Sequence, residues 1–106
     1  MSYRVIKGIL KEELARLCVL VHGYEREIAK LPKGSISLKK RGSRLYAYLV
    51  FRKDSNVKFR YLGPADSEAV AIIAKKIRLR RQYEDKRKAV IDDHKKIERA
   101  VGHRAV

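Results

Sequence analysis

One block of this 106-residue chain alternates with the period of a β-sheet, and it lies between two long helical patterns. Residues 33–63 read KGSISLKKRGSRLYAYLVFRKDSNVKFRYLG. Period-2 alternation with turn residues between the runs predicts three short strands. Ile36 and Leu38 alternate with Ser35, Ser37 and Lys39 in the first. Arg41-Gly42-Ser43 reads as a hairpin turn, with Gly42 free to take a positive φ. The second strand, residues 45–52, is the richest in β-formers. It sets Leu45, Ala47, Leu49 and Phe51 on one face and Tyr46, Tyr48, Val50 and Arg52 on the other. After a turn at Lys53-Asp54-Ser55-Asn56, the third strand, residues 57–62, sets Val57, Phe59 and Tyr61 against Lys58, Arg60 and Leu62. Short connections between consecutive strands give an antiparallel meander. A lone three-stranded sheet needs a cover for its apolar face. Polarity assigns Val57 and Phe59 to the covered face with Leu45, Leu49 and Phe51, and Lys58 and Arg60 to the open face.

The flanking segments supply the helices. Leu10, Leu14, Leu17, Val21, Tyr24, Ile28 and Leu31 step by alternating fours and threes, a heptad seam that predicts a helix over 8–31. Residues 1–7 alternate weakly and are assigned no element. Ile9, Cys18 and Leu20 widen the apolar stripe, Pro32 ends the helix, and Gly23 leaves room for a bend or a close neighbouring backbone. The seam suits a helix–helix contact within the chain or a homodimer. Past Gly63-Pro64, Asp66 or Ser67 is a natural N-cap, with Glu68 in the first turn. A second helix is expected to run unbroken over 66–101, with 102–106 as a frayed tail. Its seam, Ile73, Ile77, Arg80, Tyr83, Arg87, Val90, His94, Ile97 and Val101, is heptad-like with one 3–3 skip, and three of its positions are basic or His. The expected architecture is α+β, in the order α-βββ-α, as one domain over 1–106. Its two long helices would form an antiparallel hairpin or a dimeric bundle.

Charge singles out the sheet. Residues 33–63 carry nine Lys and Arg against one acid, Asp54, so the block holds +8 of the chain's net +15. This excess favours a polyanionic partner, DNA or RNA, free or held in a nucleoprotein complex. The candidate binding residues are Lys39, Tyr46, Tyr48, Arg52, Lys58 and Arg60 on the polar face, with Lys40, Arg41, Arg44 and Lys53 at the turns. Cations neutralise phosphates with release of counterions, and tyrosines stack on bases or donate to phosphates. The plainer account is a solvated sheet face on which Lys and Arg stems cover the tyrosine rings and protect the sheet edges. A second basic run comprises Lys75, Lys76, Arg78, Arg80, Arg81 and Arg87 on the second helix. It tracks phosphates or is a solvated helix face.

No catalytic constellation is apparent, so an enzyme is not expected, nor is a cofactor. His22, His94 and His103 share no ligand spacing. Asp92-Asp93-His94 does not converge on a helix, where neighbours point about 100° apart, so no metal is expected. One cysteine, Cys18, permits no internal disulfide, fits a reducing cytoplasm, and is expected to be a buried core residue. No secretory leader and no membrane span is expected, since every apolar run, 18–21 among them, is far too short.

Over 33–77, a basic three-stranded meander followed by a helix resembles sheet-based DNA readers. These include the arm-binding domains of some phage and transposon integrases and certain plant DNA-binding domains. That resemblance is one of element order. The motifs Lys33-Gly34-Ser35, Gly42, Tyr46-Ala47-Tyr48 and Tyr61-Leu62-Gly63, followed by a charged helix, are similar to those of small prokaryotic proteins often found on mobile elements. This second resemblance covers the last two-thirds of the chain. It implies a fold and a phage or mobile-element setting, but no activity. Three functions compete. The first is a non-enzymatic nucleic-acid-binding protein. The second is an inhibitor or adaptor that engages a nucleic-acid-handling complex such as a CRISPR nuclease or its guide RNA. The third is a dimeric helical scaffold.

Overall fold

Ser2 starts the first helix, well ahead of the predicted start at residue 8. In the computed structural model, which describes residues 2–102, helix α1 spans Tyr3–Ala29. The Ser2 Oγ accepts from the Val5 amide at 3.3 Å and the Ser2 carbonyl from the Ile6 amide at 3.2 Å. A serine oxygen taking up an otherwise orphaned first-turn amide is an N-cap. The helix stops at Ala29 rather than residue 31, because the residue before Pro32 is disfavoured in helical conformation. On its surface, Glu13 accepts from Arg16 Nε at 2.9 Å, and this guanidinium holds the Glu13 carboxyl below its ordinary value.

The strands follow as expected: β1 Ser35–Arg41, β2 Arg44–Lys53 and β3 Asn56–Pro64, in one antiparallel sheet ordered β1-β2-β3. Helix α2, Glu68–Gly102, is continuous over 35 residues, about 52 Å at 1.5 Å per residue. Of the two candidate caps, Ser67 is the one used, its Oγ accepting from the Val70 amide at 3.4 Å. The architecture is therefore α-βββ-α, an α+β chain with two long helices. Gly102 is the last residue of α2, and the remainder of the expected tail, 103–106, lies outside the described residues, as does His103. No helix among the described residues is long and apolar enough to cross a membrane.

The chain divides into two compact units, Met1–Ala29 with Gln82–Val106, and Lys30–Arg81. In the first, α1 pairs with residues 82–102 of α2. Leu17 is buried, and Leu10, Leu14, Val21, Tyr24 and Ile28 are half-buried. From α2, Tyr83, Arg87, Val90, His94, Ile97 and Val101 are half-buried too. The Tyr24 and Tyr83 rings lie 6.0 Å apart, and Arg87 reaches Glu25 at 3.9 Å. The seam residues of α1 thus make a helix–helix contact within the chain.

Two further expectations on α1 are corrected. Cys18 is exposed rather than buried, because one step past Leu17 carries it about 100° around the helix. Gly23 receives no close backbone: a Cβ there would meet only the Arg26 guanidinium, at 3.9 Å. Nothing lies within 4 Å of a Cβ at Gly8 either. Both glycines sit inside a helix without using their freedom. Gly8→Ala and Gly23→Ala are each expected to stabilise the protein by about 0.5–1 kcal/mol. Thermal melts check this, and a lower melting temperature for either would show that the position needs its glycine.

In the second unit, residues 68–81 of α2 cover the sheet. Ala47 and Leu49 are buried at the sheet centre, Val70 and Ile77 on the helix, with Ile73 and Ala74 half-buried between them. Helical spacing puts these four helix positions on one side of α2. Gly63 is buried opposite Ala47, where two small residues face each other. The 3–3 skip at Ile77, Arg80 and Tyr83 falls where the two units divide.

Candidate nucleic-acid interface

The turns decide which residues share a sheet face. Asp54 and Ser55 both have positive φ, 53° and 68°, the conformation of a two-residue type I′ hairpin turn. Lys53 therefore opposes Asn56, and the ladder continues Arg52 to Val57, Phe51 to Lys58, Val50 to Phe59 and Leu49 to Arg60. Opposed residues project to the same face. Val57 and Phe59 accordingly stand on the open face with Arg52 and Val50. Lys58 and Arg60 stand on the helix side with Phe51 and Leu49. This corrects the assignment by polarity, which gave Lys58 and Arg60 to the open face and Val57 and Phe59 to the covered one. A loop of even length fixes that outcome, since a one-residue change of register would reverse every side chain.

The other hairpin turns at Gly42 and Ser43, with φ of 63° at Gly42, as a type II′ turn requires. It pairs Arg41 with Arg44, Lys39 with Tyr46 and Ser37 with Tyr48 on the open face. Lys40 opposes Leu45 on the helix side, and Lys53 shares that parity. A bulge between Ala47 and Tyr48 leaves Leu62 unpaired, so that Tyr48 opposes Tyr61 and Ala47 opposes Gly63. Tyr61 thus joins the open face.

An aromatic cluster occupies the middle of that face. The Tyr48 and Tyr61 rings are 5.4 Å apart, tilted by 58°, and Tyr46 and Tyr61 are 6.3 Å apart. Lys39 Nζ lies 4.5 Å from the Phe59 ring centre and 5.0 Å from that of Tyr48, within cation–π range of both. Phe59 and Tyr61 are each 55% exposed and Val57 51%, so the rings are open to a ligand. Cations frame them: Arg41 and Arg44, both exposed, at the Gly42 end, and Arg52, exposed, at the Asp54 end. Beside Arg52, a shallow depression is lined by Lys33, Gly34, Val50, Phe51, Arg52 and Val57.

The second basic run does not form one surface. Lys75, Arg78 and Arg81 are exposed and follow one another in i,i+3 steps, whereas Lys76 points about 100° away from Lys75. Arg80 and Arg87 turn inward. Arg80 Nη1 donates to the Leu31 carbonyl at 2.7 Å, and Arg87 faces Glu25. The third polar seam residue, His94, lies 3.5 Å from Glu98. These seam positions thus have partners within the chain. Among the described residues, no three His, Cys, Asp or Glu side chains gather as a metal site would need.

Polarity alone missed Phe59 and Tyr61 as members of the open face. The even number of residues between Arg52 and Val57 was the signal that could have found them. Compared with known protein families, with curated proteins and with solved structures, the chain shows no match.

Proposed function

We propose that this chain is a nucleic-acid-binding protein that acts by binding rather than catalysis, through the open face of its sheet. The observation that carries the reading is the register. It brings Tyr46, Tyr48, Phe59 and Tyr61 together on one exposed face, with Lys39 among them and Arg41, Arg44 and Arg52 around them. Aromatic rings offer faces for bases, and flanking cations offer charge for phosphates. The only acid in residues 33–63, Asp54, sits in a turn. The protein's overall +15 adds a long-range attraction for any polyanion.

Fluorescence anisotropy with a labelled oligonucleotide, repeated from about 50 to 200 mM salt, tests the reading. Four cations on or beside the face engaging phosphates give a log–log slope of about −3, at ~0.7–0.9 per contact. No binding, or binding indifferent to salt, would falsify the proposal.

A further inference from the structure

We infer that the ligand of the open face is single-stranded nucleic acid, whose bases stack on Tyr48, Phe59 and Tyr61. This rests on the nucleic-acid reading above and narrows it. In a duplex, each base face is sealed by its neighbours at about 3.4 Å spacing along the strand. A protein meeting a duplex finds only phosphates outside and base edges in the grooves. Reading those edges takes hydrogen-bonding side chains at the centre of the contact, such as Arg, Asn or Gln. On this face the order is reversed. The centre is chiefly aromatic, with Tyr48, Val50, Phe59 and Tyr61 and one cation, Lys39, drawn over the rings, and the arginines lie at its two ends.

That arrangement suits a strand whose bases are already unstacked. Phe59 and Tyr61 are two apart on β3, so their attachment points are about 6.7 Å apart along the strand. An extended single strand can lay successive bases on the two rings. Tyr48 stands beside Tyr61 at 5.4 Å and widens the platform across the strands. β3 is an edge of the sheet, so the nucleotide backbone has an open side along which to leave the face. Lys39, held over Phe59 and Tyr48 at 4.5 and 5.0 Å, sits where a phosphate between two stacked bases would come. Its flexible stem lets it lift from the rings to that phosphate.

The test compares labelled strands of one length: a single-stranded deoxythymidine oligomer, its uridine counterpart, an abasic deoxyribose-phosphate strand and a mixed-sequence duplex. The full-length chain is used, beside its Phe59→Leu/Tyr61→Leu variant. Both leucines keep the exposed positions apolar, and circular dichroism confirms that the sheet is retained. The single strands are expected to bind at least about ten-fold more tightly than either the duplex or the abasic strand. The double variant should lose on the order of ten-fold for each ring that carries a base, with the salt slope unchanged. Unequal affinity for the two single strands would identify DNA or RNA as the preferred form, and either result supports the inference. Equal or tighter duplex binding overturns it while leaving nucleic-acid binding intact. So does an affinity that neither the abasic strand nor the ring substitutions alter. A change of oligomeric state in the variant, in place of a change in affinity, would show that a second copy covers the face. Failure of every strand to bind removes both this inference and the function on which it rests.

Discussion

Gly34→Ala is expected to lower the melting temperature by more than about 10 °C, the largest stability loss of any single substitution considered. Gly34 adopts φ of 118°, outside the conformations open to an L residue with a side chain. An added Cβ would press into the Val50 carbonyl oxygen and come within 3.1 Å of Phe51 Cβ and of the Val50 carbonyl carbon. Val50 belongs to the central strand β2, paired on both sides, so its carbonyl cannot retreat without loosening two ladders. Backbone strain of about 1–3 kcal/mol and an overpacking cost of similar size together approach the lower end of a domain's whole stability, about 5–15 kcal/mol. A thermal or urea melt measures this directly. A shift of only a degree or two would mean that the β1 entry is free to move, and that the close approach is incidental. The contrast with Gly8 and Gly23, where alanine should stabilise, makes the glycine series a test of backbone placement independent of any ligand.

Ser55→Gly probes the same physics in the opposite direction. Serine at φ of 68° is held in a conformation that glycine adopts freely. Substitution is expected to raise stability by about 0.5–1 kcal/mol in an equilibrium melt. Loss of stability would indicate that the serine hydroxyl contributes more to the turn than its backbone strain removes.

The helices were legible because their signals are local. The 4-3 spacing from Leu10 to Ile28 names the buried side of α1 without reference to the rest of the chain. The skip at Ile77, Arg80 and Tyr83 likewise falls where the two units divide. Ser67 and the turns at Gly42 and Asp54 were readable for the same reason. The faces of β3 were not, because polarity and parity disagree there. Val57 and Phe59 look like core residues, but a two-residue turn sends them to the open face whatever their hydropathy. Cys18 failed similarly. Its residue type argues for burial, but its place beside Leu17 turns it outward. The start of α1 was hidden by the weak alternation of Tyr3 and Val5, although Ser2 was present as a cap. Where a covalent or hydrogen-bonded constraint competes with side-chain preference, the constraint sets the geometry and the preference shows what that geometry exposes.

That conflict supplies the second large effect. Arg44→Glu/Arg52→Glu and Lys58→Glu/Arg60→Glu make the same change in charge: two cations lost and two anions gained, lowering the net from +15 to +11. All four side chains are exposed, so neither pair should alter stability by more than about 1 kcal/mol in total. Their difference is the face. Arg44 and Arg52 stand on the open side with the rings, Lys58 and Arg60 on the helix side opposite Phe51 and Leu49. If the open face holds the ligand, the first pair loses two direct phosphate contacts. The salt slope should fall by about two, and affinity by about a hundred-fold, taking ~1.5 kcal/mol for each charge-assisted hydrogen bond. The second pair acts only through the long-range field, which is screened over about 10 Å at 0.1 M salt, and its loss should stay within about five-fold. Anisotropy titrations of the two variants at one salt concentration make the comparison. Equal losses would assign the binding to net charge alone, and a larger loss for Lys58 and Arg60 would move the interface to the helix side. Only a strong dependence on face ties binding to the register set by Asp54 and Ser55.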